Sequence, residues 1–215
     1  MQMKALLIVW LMLGAMVLLG RAENSTLYEN NFEQAEVGKV PADMLVLDGG
    51  FLVKEESGNK YLELPGAPLD SFSVQFGPAE TTNISVSAAI CSAAKGRRFP
   101  SFGAGLNGVA GFKLQVSPAK NLLELYADQA LLASVPYEWK SGQWTALRLQ
   151  IRQTAEGLWK VEGKAWPRGT SEPGAWTISA ETKDEPHSGR ASVFGSPFSG
   201  APIQFDDLRV QKLEK

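Results

Sequence analysis

Trp144-Thr145-Ala146-Leu147-Arg148-Leu149-Gln150-Ile151-Arg152 alternates in chemistry: Leu147, Leu149 and Ile151 face one way, Arg148, Gln150 and Arg152 the other. A period of two marks a strand with one face on a core and one toward water. Trp159-Lys160-Val161-Glu162-Gly163-Lys164-Ala165 repeats the pattern, which Trp166 then breaks. Gly157 between the two runs predicts an antiparallel hairpin.

The same texture extends in both directions. Short β-prone runs cover 27–32, 44–54, 60–64, 71–77, 82–93, 101–106, 111–117, 122–127, 130–136, 144–154, 158–166, 176–181, 189–195 and 203–212. Turn signals separate them, among them Ser57-Gly58-Asn59, Pro65-Gly66, Asn107-Gly108, Ser141-Gly142 and Glu156-Gly157. No run carries the 3.6-residue period of an amphipathic helix. Some fourteen strands with hairpin links predict an all-β fold, an antiparallel β-sandwich of two stacked sheets. Neither a linker nor a repeat divides residues 23–215, which read as one domain.

The 215 residues include one cysteine and one histidine, with a formal net charge of -2. One cysteine forbids an internal disulfide, one histidine nearly removes the usual zinc sites and Ser-His-Asp catalysis, and no serine stands in a G-x-S-x-G elbow. Near-neutral charge without a basic stripe argues against nucleic acid as a partner. Residues 1–22 read as a signal peptide: Lys4 gives a positive start, Ala5 to Gly20 is an uncharged apolar run, and Gly20 and Ala22 are small residues before a cut at Glu23. The run is short for a membrane span, which needs about 20 residues. The expectation is an exported chain, periplasmic or extracellular, with no stable membrane span after cleavage and a net charge of -4 once Lys4 and Arg21 are gone. Cys91 reads as a small buried hydrophobe, His187 as a surface residue, and Arg97-Arg98 as a solvated corner. Asn24-Ser25-Thr26 and Asn83-Ile84-Ser85 match glycosylation sequons.

Several stretches carry a resemblance. Leu27-Tyr28-Glu29-Asn30-Asn31-Phe32-Glu33 opens the domain, and Phe99-Pro100-Ser101-Phe102-Gly103 leads into Gly111-Phe112-Lys113-Leu114. Trp139-Lys140-Ser141-Gly142-Gln143-Trp144, Gly163-Lys164-Ala165-Trp166-Pro167 and the terminal Phe205-Asp206-Asp207-Leu208-Arg209-Val210 complete the set. Together they resemble the concanavalin A-like lectin/glucanase superfamily, in particular an exported bacterial laminin G-like jelly roll. The resemblance implies that the first and last strands lie side by side. It also implies glycan binding, adhesion or, in some branches, glycan cleavage. Some members clamp these strands with a structural calcium; the matching positions here are Asp206 and Glu33, oxygen donors from distant segments as calcium requires. Where members often have an aspartate pair, this chain has Asn30-Asn31.

The hydrolases of this fold carry E-x-D-x-x-E on one strand, and no stretch here matches it. Glu124 with Asp128 lacks the middle acid, and the adjacent Asp206 and Asp207 are expected to point to opposite faces. The chain therefore reads as a non-catalytic lectin-like domain for carbohydrate or a cell-envelope component. The alternatives are a diverged hydrolase using Glu124, Asp128 and Glu162 from separate strands, or a structural envelope protein. All five tryptophans after residue 22 lie between 139 and 176. Trp144 and Trp159 are expected in the core, while Trp166 and Trp176 flank one loop. Trp139, Trp166 and Trp176 are the candidates for stacking on a sugar ring.

Overall fold

The structure, a computed structural model, describes residues 25–66, 70–198 and 200–214. The expected signal peptide and Asn24 lie outside the described residues. Fifteen strands follow one another: β1 Ser25–Asn30, β2 Leu45–Asp48, β3 Leu52–Glu56, β4 Asn59–Leu64, β5 Phe72–Glu80, β6 Ile84–Ser92, β7 Ser101–Leu106 and β8 Phe112–Ser117. After a 3-10 turn at Pro118–Lys120 come β9 Leu122–Ala127, β10 Ala130–Pro136, β11 Thr145–Ala155, β12 Leu158–Pro167, β13 Ile178–Thr182, β14 Gly189–Ser196 and β15 Ile203–Lys212.

They form two antiparallel sheets. One runs β13-β12-β11-β6-β15-β4-β3, with β1 also paired to β15; the other runs β10-β9-β8-β7-β14-β5-β2. The alternation that predicted the fold is obeyed: Leu147, Leu149 and Ile151 are fully buried, and β11 pairs β12 across the Gly157 turn. Phe32, Phe76, Phe102 and Phe205 are the largest side chains wholly enclosed in the core. The sheets meet closely at Gly163 on β12, where a Cβ would stand 2.5 Å from Leu114 Cδ1 of β8. The first and last strands do lie together, Tyr28 opposite Val210 and Glu29 opposite Arg209.

Two expectations change. The single strand expected over 44–54 is two, β2 and β3, in different sheets. The break is Gly49, whose φ of 102° suits only glycine and whose Cβ would stand 2.9 Å from Phe72 Cβ. Apolar residues stand on both sides of it, Leu45-Val46-Leu47 and Phe51-Leu52-Val53, so composition hides a crossing that backbone conformation imposes. Trp159 is buried in the core as expected, but Trp144 is not in it. It precedes β11 and packs against Tyr61, with ring centroids 6.3 Å apart, and under Arg168, 4.9 Å from the ring.

Candidate functional site

Strand parity decides what each sheet shows to solvent. On the seven-stranded sheet, strand pairing lines up Tyr126, Lys113, Gly105, Ser192 and Gln75 in one outward row. The next row is Glu124, Gln115, Gly103, Phe194 and Ser73. Each row has a glycine at its centre, on β7. With no side chain there, β8 and β14 flank a trough. A Cβ on Gly103 would come within 2.6 Å of Phe194 Cζ, and one on Gly105 within 2.6 Å of Ser192 Oγ. The tip of the Phe194 ring thus lies over the bare backbone of Gly103.

The trough belongs to a cleft of about 240 Å³ lined by Phe194, Gln75, Ser192, Lys113, Gln115 and Ser73. Val109 and Leu47, both well exposed, stand at its margin. Asn107 fixes the loop carrying Val109. Its amide donates to the carbonyls of Glu80, Thr81 and His187 at 3.0, 2.8 and 2.9 Å, tying three loops at one end of the sandwich.

Glu124 stands in the same row as Phe194 but is 2% exposed and fully engaged. Ser117 Oγ donates to it, Lys120 Nζ lies 2.9 Å away and Gln115 Nε2 3.4 Å. Burial alone would raise its pKa, yet the hydrogen bonds from Ser117, Lys120 and Tyr126 outweigh this and hold it below the ordinary 4.5. Such a carboxyl is an anchored anion that orients Gln115 and Ser117, and a poor proton donor near neutral pH. By contrast the amide of Gln75, 8% exposed, makes no hydrogen bond among the described residues. Neutral amides, hydroxyls and one aromatic ring are the groups that hydrogen-bond and stack on a sugar.

The sites expected from sequence lie elsewhere. Trp166 and Trp176 come together on the outer side of the eight-stranded sheet, around Lys164, whose Nζ is 6.0 and 4.5 Å from their ring centroids. Lys164 also donates to Pro173 O at 2.6 Å and pairs with Glu172 at 2.8 Å, so this group fastens the loop between β12 and β13. Trp166 further lines a cleft of about 320 Å³ with Arg168, Asp207, Arg209, Glu29 and Asn31. Its charges are matched in pairs, Arg168 with Asp207 and Arg209 with Glu29. Trp139 packs on the core beside Phe102, ring centroids 6.1 Å apart, and lines neither cleft.

Asp206 and Asp207 do not point apart. Asp207 has φ 49° and the pairing of β15 with β6 shifts register there, so a bulge turns both carboxylates to one guanidinium. Arg168 lies 2.9 Å from Asp206 and 2.7 Å from Asp207. Asn59 Nδ2 donates to Asp206 at 3.3 Å, and Glu33 accepts from the backbone N–H of Lys60 at 3.1 Å. This donor set does not fit calcium, which needs several free oxygens around one point; here cationic and N–H groups occupy both carboxylates. Among the described residues no three His, Cys, Asp or Glu side chains gather closely enough to hold a metal ion.

The remaining carboxylates are separated too. Glu162 faces outward on β12, bonded to Gln150 Nε2 at 2.7 Å, on the opposite sheet from Glu124. Asp128 sits in the β9–β10 turn at φ 51°. Cys91 is half-buried rather than enclosed; burial first, then Glu56, pushes its thiol pKa up, which keeps it unreactive. His187 is exposed as expected. Asn83 is buried, with Oδ1 accepting from Gln153 N at 3.2 Å, so the second sequon offers no accessible amide.

Sequence reasoning missed Phe194, Gln75, Ser192, Lys113 and the role of Gly103 and Gly105. The signal existed: Phe194 stands in the outward parity of β14 between Ser192 and Ser196, and alternate glycines mark β7. An aromatic residue at a polar parity says more about a surface than the number of tryptophans does.

The chain folds as a two-sheet jelly roll, the fold of the solved structures it superposes on. The carbohydrate-binding module CBM66 from Bacillus subtilis superposes with a TM-score of 0.55 at 9% identity, covering 79% of this chain and 95% of that one. The exoplasmic/lumenal domain of VIP36, in its Ca2+/Man3GlcNAc-bound form, gives 0.56 at 9% identity, covering 90% and 92%. A chain described with endo-acting O-glycanases of the human gut microbiota gives 0.58 at 13% identity, covering 88% and 100%. No family model and no curated protein matches the sequence.

Proposed function

We propose that this chain is an exported, non-catalytic carbohydrate-binding protein whose sugar seat is the outer face of the seven-stranded sheet. The observation that carries the reading is the Phe194 ring over Gly103, beside the unpartnered Gln75 amide and the hydroxyls of Ser73 and Ser192. A ring lying on bare backbone offers a stacking platform, and the flanking polar groups suit sugar hydroxyls. The named activities of neighbours, a carbohydrate-binding module and a glycan-bound lectin domain, agree with it. The non-catalytic part draws on the carboxylates, since Glu124 and Glu162 are tied down on opposite faces. Export draws on the leader pattern of residues 1–22, and a glycan of the cell envelope is the partner such a location would offer.

The test is a glycan array with the purified 23–215 chain, Phe194→Ala and Trp166→Ala. Binding should be lost, about tenfold or more, in Phe194→Ala and kept in Trp166→Ala, both folded by circular dichroism. The reverse pattern would move the seat to the tryptophan face. Reducing-sugar release from a polysaccharide panel would overturn the non-catalytic reading. Mass spectrometry of exported protein should give Glu23 as the mature N-terminus.

A further inference from the structure

The lining of the Phe194 cleft is neutral with one exception. Lys113, on β8 opposite Gly105, is the single charged side chain among its lining residues. It is half-buried and makes no ion pair among the described residues, although ten ion pairs join other charges there. Glu124, in the neighbouring outward row, is already taken by Lys120. The opposite cleft, by contrast, matches every arginine with an acid. An ammonium beside a trough without a counter-charge is a seat for an anion, because a charge-assisted hydrogen bond is roughly twice as strong as a neutral one.

Building on the carbohydrate reading, we propose that the ligand is an acidic glycan. One anionic substituent of a sugar, a carboxylate or a sulfate ester, meets Lys113 while the ring rests on Phe194. The amides of Gln75 and Gln115 and the hydroxyl of Ser192 then take the neutral hydroxyls. The cleft has one cation, so one charged group per bound sugar is recognised, and a densely charged polyanion gains nothing further there.

Calorimetry with four oligosaccharides tests this: an oligogalacturonate and its carboxyl-reduced parent, and a sulfated galactan oligosaccharide and its desulfated parent. At least one acidic ligand should bind about tenfold more tightly than its parent, and added salt should narrow the ratio. The arm that shows the preference tells carboxylate from sulfate. Lys113→Met should bring the ratio toward one, while Lys113→Arg, which keeps the charge, should retain it. Equal affinity of both acidic ligands and their parents, lost in Phe194→Ala, would overturn the acidic preference and leave the sugar seat standing. Binding by none of the four, or binding indifferent to Phe194→Ala, would overturn the proposal together with the seat it rests on.

Discussion

Asp206 shows how one backbone angle changes what a pair of acids can do. Alternation alone would send Asp206 and Asp207 to opposite sides, but the left-handed conformation of Asp207 gathers both onto Arg168, beside the Trp144 ring. An arginine thereby joins β15 to the end of β12 where the family resemblance suggested a metal. Burial is the main cause raising the Asp206 pKa, and the neighbouring Asp207 adds to it. Removing the guanidinium strands that carboxylate. Arg168→Met should lower stability by about 1–3 kcal/mol, less than for a fully buried pair because the arginine is 30% exposed. Thermal melting of the native chain should give the same Tm with calcium and with chelator; a rise of several degrees with calcium would refute the arginine clamp. Glu124 gives a pH prediction. Its folded pKa lies below the ordinary 4.5, so the stability it contributes is present above that value and is lost as pH falls through the lower folded one. Glu124→Gln should therefore cost about 1–2 kcal/mol at neutral pH, with the gap to wild type closing in acid. A gap that stays unchanged as the solution is acidified would contradict the assignment.

Among the elements, the loop from β12 to β13 is held chiefly by Lys164 through Pro173, Glu172 and the Trp176 ring. Lys164→Met should speed amide hydrogen exchange across 169–177 while β11 and β12 keep their protection. Unchanged exchange in that loop would show that another contact holds it. Most elements were legible because a half-buried strand writes its period into the chain, as 144–152 does. The crossing at Gly49 was not, since Leu45, Val46, Phe51 and Val53 are apolar on both sides of it. The expected tryptophan site failed for a related reason. Tryptophans invite a ligand, but Trp166 and Trp176 surround a lysine and Trp139 rests on Phe102. The glycines and Phe194 that shape the cleft meet only through pairing between β7 and β14, strands far apart in sequence.

For the whole molecule, two sheets enclose one core and expose two unlike faces. The eight-stranded sheet shows matched charges, Arg148 with Glu172, Lys160 with Glu162 and Arg209 with Glu29. The seven-stranded sheet shows amides, hydroxyls, Phe194 and Lys113. A single core predicts a single unfolding transition, with tryptophan fluorescence and far-UV circular dichroism coinciding. Leu114→Ala, at the contact with Gly163, should destabilise that one transition by about 2–5 kcal/mol. Splitting into two transitions would contradict a shared core. Backbone amide NMR during titration with a bound oligosaccharide reads directly which face takes the sugar. Shift changes should cluster at 73–75, 103–105, 113–115 and 192–194. Changes clustered instead around Asn31, Trp166 and Arg168 would contradict the Phe194 seat.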